Sequence, residues 1–194
     1  DELRDAVCED TILVSMMMVN NEIGAVEPIA EAAKIVKEKN PNTIIHVDAI
    51  QAFGKYHIYP KRMGIDLMSV SGHKIHGPKG TGALFIKNRT KVKPIIYGGG
   101  QQGGMRSGTE NVPGFAGFGL ATKMVYEDLE ARTVRMRAVK DRLTERLKTL
   151  PDVYINEGEA PHILSVSFVG VRSEVMLHAL SLIHISEPTR LRRI

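Results

Sequence analysis

The residues of this chain best suited to covalent chemistry lie in Met68-Ser69-Val70-Ser71-Gly72-His73-Lys74-Ile75-His76-Gly77-Pro78-Lys79-Gly80-Thr81-Gly82. The apolar run over residues 65–70, broken only by Asp66 and Ser69, predicts a mostly buried strand, after which the composition switches to Gly, Pro and basic residues. Lys74 is thereby placed just past a strand's carboxyl end, the edge at which open α/β sheets bind ligands. A lysine there can be partly desolvated, which lowers its pKa and frees the amine to form an imine with an aldehyde cofactor. Gly72, Gly77, Gly80 and Gly82 would let the backbone approach a small anion. A surface lysine in a glycine-rich turn is the plain alternative. A phosphate-loop NTPase is excluded, because the segment does not have the spacing Gly, four residues, Gly-Lys-Ser/Thr.

The elements that must position Lys74 come earlier in the chain. Residues 11–19 form a continuous β-type run that ends in Asn20-Asn21-Glu22-Ile23-Gly24. Residues 28–39 carry apolar side chains at Ile29, Ala32, Ala33 and Val36, open with Pro28 and stop at Asn40-Pro41, which predicts an amphipathic helix. Residues 43–47 then read as a short buried strand, with Asp48 at its end and Gln51 three residues later. Strand, helix, strand in this order argues for a right-handed parallel unit and puts Asn21, Asp48 and Lys74 on one sheet edge. A carboxylate beside a pyridine nitrogen keeps that nitrogen protonated, so the ring can accept electrons from a carbanion. Asp48 suits that role, although a turn or helix cap is its alternative. Gln51 and Asn21 could hydrogen-bond a ring hydroxyl, and Ser71 and His73 could hold a phosphate.

Composition narrows the class. The chain has 194 residues, 43% of them hydrophobic, enough for one sizeable core or one domain plus part of another. No apolar run reaches the roughly 18 residues of a membrane span, and no signal peptide opens the chain, so the cytosol is the expected compartment. The formal charge of +4 is concentrated over residues 132–148 and 190–193, and interleaved acidic residues make the first a solvated helix face rather than a nucleic-acid surface. Cys8 is the single cysteine, which excludes an internal disulfide. Its acidic neighbours should raise its pKa, so it reads as structural. The histidines show no paired ligand spacing, which leaves structural or surface roles as their default.

Further along, Gly98-Gly99-Gly100-Gln101 begins an extended, flexible glycine loop that runs to Gly108. Residues 112–150 predict one long or two abutting helices, closely packed at Gly114, Gly117 and Gly119, with a buried stripe of Leu129, Met136, Val139, Leu143 and Leu147. Residues 153–156 and 162–169 read as strands and 173–180 as a helix capped by Ser173. The expected fold is α/β, a mainly parallel sheet flanked by helices (residues 1–130) followed by the start of a smaller α/β domain (131–180).

Four motifs in order carry a resemblance. Val19-Asn20-Asn21-Glu22-Ile23-Gly24, His46-Val47-Asp48-Ala49-Ile50-Gln51, Ser71-Gly72-His73-Lys74-Ile75-His76-Gly77-Pro78-Lys79-Gly80, and Gly98-Gly99-Gly100-Gln101 with Arg106-Ser107-Gly108-Thr109-Glu110-Asn111 resemble the cysteine desulfurases of the class V aminotransferase group. The resemblance runs to about Leu180 and implies a fold-type-I pyridoxal phosphate enzyme that takes sulfur from L-cysteine, leaving L-alanine and an enzyme persulfide. By that likeness Lys74 would hold pyridoxal phosphate and move protons, and Asp48 would pair with its ring nitrogen. Gln51 and Asn21 would contact the ring hydroxyl and the substrate side. Ser71 and His73 would bind the phosphate, and Thr109 would reach the phosphate in the partner subunit of a homodimer. A sulfur acceptor, either an iron–sulfur scaffold protein or a tRNA-thiolation partner, is implied as well, with no membrane and no direct nucleic-acid contact.

The resemblance also implies features without a counterpart here. No cysteine follows Cys8 to serve as the mobile sulfur-accepting residue. An upstream ring-stacking histidine, an upstream phosphate loop and a downstream carboxylate-binding arginine are likewise without equivalents. The chain is therefore expected to be cut at both ends, unable to complete the reaction by itself, and poorly soluble. Residues 181–194 resemble a translated sequencing adapter and are expected to be a non-native tail. Selenocysteine lyase or another class V enzyme, and a non-catalytic phosphate-binding scaffold, are the alternatives.

Overall fold

The computed structural model describes residues 2–182, so most of the tail expected to be non-native, residues 183–194, lies outside the described residues. A four-stranded sheet of order β1-β2-β3-β4 organises the chain, built from β1 (Leu13–Met17), β2 (Ile44–Asp48), β3 (Leu67–Ser71) and β4 (Gly82–Ile86). The first three strands are parallel and β4 returns antiparallel to β3, a mostly parallel α/β sheet as expected. Parallel pairing of β1 with β2 requires a crossover, which α2 (Ile29–Lys39) supplies. Its buried residues Ile29, Ala32, Ala33 and Val36 fall at helical spacing on one face, and they join Val19, Ile45, Val47, Ile65 and Val70 in the main core. The short helix α1 (Glu2–Ala6) docks on α2, with Val7 just beyond it buried in the same core.

One buried carboxylate locks this layer. Asp66 accepts from Lys37 Nζ at 2.8 Å, from Lys87 Nζ at 2.8 Å and from the main-chain N–H of Ile45 at 3.0 Å. It therefore bridges α2, β2 and the residue after β4. A polar ladder crosses one sheet face, with His46 ring nitrogens 2.7 Å from Ser15 Oγ and 2.8 Å from Ser69 Oγ, so His46 is a satisfied structural histidine.

The predicted helical stretch after residue 112 resolves into α3 (Val112–Glu127) and α4 (Leu129–Leu147), separated at Asp128. Asn111 caps α3 by accepting from the N–H of Gly114 at 3.1 Å. Gly114 and Gly117 do pack closely, since an added Cβ would come within 2.8 Å of Thr81 and 2.7 Å of Pro78; Gly119 faces open space. The buried stripe expected on α4 is corrected: Leu129 is buried, whereas Val139 and Leu143 are 65% and 46% exposed. The helix turns Lys140 inward instead, because its ammonium is captured by main-chain carbonyls of Gly158 and Ala160.

Past α4, β5 (Val153–Asn156) and β6 (Ser165–Phe168) form an antiparallel pair, followed by α5 (Ser173–Leu182). The expected strand over residues 162–169 is shorter because the segment before Ser165 is drawn away as a strap across the main sheet, held by the Ala160 N–H on the Gly24 carbonyl at 2.9 Å. Ser173 is the first helical residue of α5 rather than its cap. The structural reading of Cys8 is also corrected. Its thiol is exposed and its pKa is lowered, chiefly by the Thr11 hydroxyl 3.5 Å away, which outweighs the charge of Asp10.

Candidate active site

Parallel strands aligned in register end together, and that alone gathers the candidate residues. Met17 pairs with Asp48 and Asp48 with Ser69, so the segments after β1, β2 and β3 leave the sheet at one edge. Asn21 lies on the first, Asp48 and Gln51 on the second, and Ser71, His73 and Lys74 on the third.

On the first segment an isolated bridge between Val19 and Val26 pinches off a tight loop. The Asn20 side chain is consumed inside it, accepting from the N–H groups of Glu22 at 2.8 Å and Ile23 at 3.0 Å. Asn21 is exposed on the rim, its amide donating to Glu22 at 2.8 Å. On the second segment the half-buried Asp48 uses Oδ1 to accept from the Ile50 N–H at 2.9 Å, so the turn role weighed for it is real. No other hydrogen bond to its carboxylate exists among the described residues, which leaves Oδ2 available to a ligand.

The third segment carries the amine. A 3-10 turn (Gly72–Ile75) follows β3 and buries Gly72 and Ile75, leaving His73 and Lys74 exposed. The partial desolvation expected of Lys74 is thus not found, because the turn projects past the strand and is backed only on its Gly72 and Ile75 side. His76 closes the turn with φ 64°, the left-handed region that non-glycine residues seldom occupy. Gly72 is required by space, since a Cβ would sit 2.6 Å from Thr81 Oγ1. Ser71 Oγ and His73 Nδ1 lie 2.7 Å apart across it, a hydroxyl and an imidazole joined at the mouth of the turn.

Two residues that sequence reasoning passed over converge on this edge. The connection after Gln51 brings Lys55 beneath the turn, where its ammonium donates to the Lys74 carbonyl at 2.7 Å. Burial, with the nearby charges of Lys74 and Arg132, pulls Lys55 down to about 8. His162, on the strap between β5 and β6, reaches Gln51 at 3.3 Å, and burial with the charges of Lys55, Lys140 and Lys74 lowers it to about 4. Neither carried a signal: a lysine after a glycine reads as a surface turn, and a histidine after a proline reads as a strand start. A cleft of about 260 Å³ beside the turn is lined by Lys55, Lys74, Arg132 and Arg135 with no carboxylate. Asp48, Gln51 and Ser71 stand outside that cleft, on the sheet edge itself.

Thr109 stands apart from this group. Its glycine loop is folded back rather than extended, with Ile96 bridged to Arg106, Ser107 Oγ donating to the Gly99 carbonyl at 2.8 Å, and a 3-10 turn over Gln101–Gly104. Thr109 itself is exposed, and no described hydrogen bond joins it to the Lys74 turn.

A parallel sheet whose carboxyl edge offers an acid, a hydroxyl–imidazole pair and a lysine defines a class, and the family comparison names it. The aminotransferase class-V model matches residues 1–186, and the chain belongs to that family. It is 41% identical over 184 residues to the cysteine desulfurase IscS of Methanosarcina thermophila, covering 93% of this chain and 45% of that protein. Identity to the cysteine desulfurase IscS of Klebsiella pneumoniae is 45% over 184 residues, covering 92% and 45%. Among solved structures, a NifS-like protein superposes with a TM-score of 0.91 at 40% identity, covering 95% of this chain and 51% of that one. A NifS-like protein from Rickettsia africae gives 0.86 at 34% identity, covering 93% and 51%. The chain spans about half the length of the curated relatives it matches.

Proposed function

We propose that this chain is the part of a cysteine desulfurase that holds pyridoxal phosphate. The observation that carries the reading is the shared edge: Asp48, Ser71 with His73, and Lys74 leave adjacent parallel strands side by side. The donor set fits the cofactor. Ser71 and His73, bracketing a glycine too crowded for a Cβ, would receive the phosphate, and the open oxygen of Asp48 would face the ring nitrogen. Gln51 and Asn21 would hydrogen-bond ring and substrate, and Lys74 would hold the aldehyde carbon and carry protons to and from the substrate's α-carbon. When bound, the cofactor supplies an electron sink for a carbanion.

The whole protein's substrate on this reading is L-cysteine, converted to L-alanine with the sulfur left as an enzyme persulfide. Relatives named cysteine desulfurase at about 40% identity support it. The sulfur would pass to an acceptor or iron–sulfur scaffold protein in the cytoplasm; no helix among the described residues is long and apolar enough to cross a membrane. Thr109 would serve the partner's phosphate in a homodimer, which suits its exposed position with no described hydrogen bond to its own turn. Residues 1–130 would be the partial cofactor domain and 131–180 the start of the smaller one.

The experiment is reductive trapping. The chain is incubated with pyridoxal phosphate, reduced with borohydride, digested and mapped. Label on Lys74 is expected. Lys55 is the built-in competitor, its amine held near pKa 8 against the Lys74 carbonyl, and label there without label on Lys74 would overturn the assignment.

A further inference from the structure

The strap between β5 and β6 lies directly on the candidate site. At Gly158 a Cβ would fall 2.0 Å from the Ile23 carbonyl oxygen, so only glycine lets the strap seat against the Asn20 to Gly24 loop. Glu159 accepts from the Val26 N–H at 3.1 Å, and from α4 Arg137 donates to the Glu159 carbonyl at 3.1 Å and Lys140 to the Ala160 carbonyl at 2.8 Å. Pinned at both sides, the strap delivers His162 to Gln51 with Nε2 3.3 Å from Oε1.

The state of that imidazole follows from its surroundings. Nδ1 is buried and has no hydrogen-bond partner. The charged groups facing the ring are Lys55, Lys74 and Lys140, all cationic. A protonated ring would add a positive charge to three others and bury an N–H with no acceptor, so the ring is neutral. Of its two tautomers, only the one with the proton on Nε2 leaves a lone pair rather than an orphaned N–H at Nδ1, and only that one can donate to Gln51. Gln51 must then turn its carbonyl oxygen toward His162, which leaves the amide NH2 for a ligand.

We propose that His162 is a positioning residue that locks the amide of Gln51 in one orientation, so the site offers an N–H donor to the oxygen on the cofactor's aromatic ring. The inference rests on the pyridoxal phosphate reading above. A donor at that oxygen favours its deprotonated form, whereas a flipped amide would set an oxygen against it.

The test uses the full 194-residue chain and its variants His162→Leu and His162→Asn. In the cofactor-free wild type, nitrogen NMR should show a neutral His162 protonated on Nε2 throughout pH 6 to 8. Affinity for pyridoxal phosphate, followed by fluorescence, should fall about 3–10-fold in His162→Leu, the size of one net hydrogen bond, and recover to within about twofold in His162→Asn, which can donate from the same side. A proton on Nδ1, or an imidazolium at pH 7, overturns the proposal even if His162→Leu fails to fold. So does a His162→Leu chain that binds as wild type while wild-type Lys74 still takes the borohydride label, an outcome that leaves the cofactor reading standing. Loss of the Lys74 label in wild type removes both.

Discussion

The ammonium of Lys55 donates to the main-chain carbonyl of Lys74 at 2.7 Å, which ties the connection after β2 to the turn that follows β3. A cation spent on a peptide carbonyl beside two further cations is an unstable arrangement, and its pH dependence is readable. The folded pKa of about 8 lies below the ordinary 10.5, so between those values the unfolded chain binds more protons than the folded one. Burial of Lys55 therefore costs stability in full below about pH 8, and stability recovers as pH rises toward 10.5. Lys55→Met should flatten that rise, measured as urea midpoints from pH 7 to 10. An unchanged slope would show that Lys55 titrates as an exposed lysine does.

Asp66 gives a slope of the same sign, in acid. Burial alone would raise its pKa, but hydrogen bonds from Lys37, Lys87 and the Ile45 N–H outweigh it and hold the carboxyl below its ordinary 3.8. Its stabilisation is present above 3.8 and fades as pH falls through the lower folded value. Asp66→Ala should cost about 2–4 kcal/mol at pH 7, because the N–H of Ile45 loses its side-chain acceptor and two lysines lose their partner. Chemical denaturation measures it, and a cost under about 0.5 kcal/mol would contradict the locking role.

Ser71 and His73 should matter only to the phosphate. Ser71→Ala and His73→Ala are each expected to weaken pyridoxal phosphate by about 10-fold, as loss of a hydrogen bond to a charged group does. Affinity for pyridoxal, without the phosphate, should move less than about twofold. Equal losses for both ligands would place the pair elsewhere than at the phosphate.

Exposed apolar surface predicts self-association. Ile12 is 81% exposed ahead of β1, and Leu84 on β4 is 49% exposed, so both ends of the sheet present apolar side chains beside unpaired strand edges. The double variant Ile12→Lys with Leu84→Lys should scatter less light at equal concentration while keeping the wild-type circular dichroism. A monodisperse, cooperatively unfolding wild type would refute the expectation.

The amino-acid sequence by itself determined the order of elements around the site and the residues brought to its edge. Continuous apolar runs near residues 13–17, 44–48 and 67–71, and a period of 3.6 through Ile29, Ala32, Ala33 and Val36, set strand, helix, strand, strand. Parallel pairing then aligns Met17, Asp48 and Ser69, so the segments that carry Asn21, Asp48 and Lys74 leave the sheet at one edge. Those signals are local, and local signals survive in a string of letters.

Tertiary structure alone decided what surrounds that edge. Lys55 and His162 reach Lys74 and Gln51 from 19 and 111 residues away along the chain, and no periodicity encodes a contact made only when a connection or a strap is pulled across the sheet. The same cause explains the failure on α4. Val139 and Leu143 are exposed because burial depends on what lies opposite a helix face. The Cys8 reading fails for a different, local reason: the turn sets the Thr11 hydroxyl, three residues on, 3.5 Å from the thiol, and a charge count along the sequence does not register that hydrogen bond.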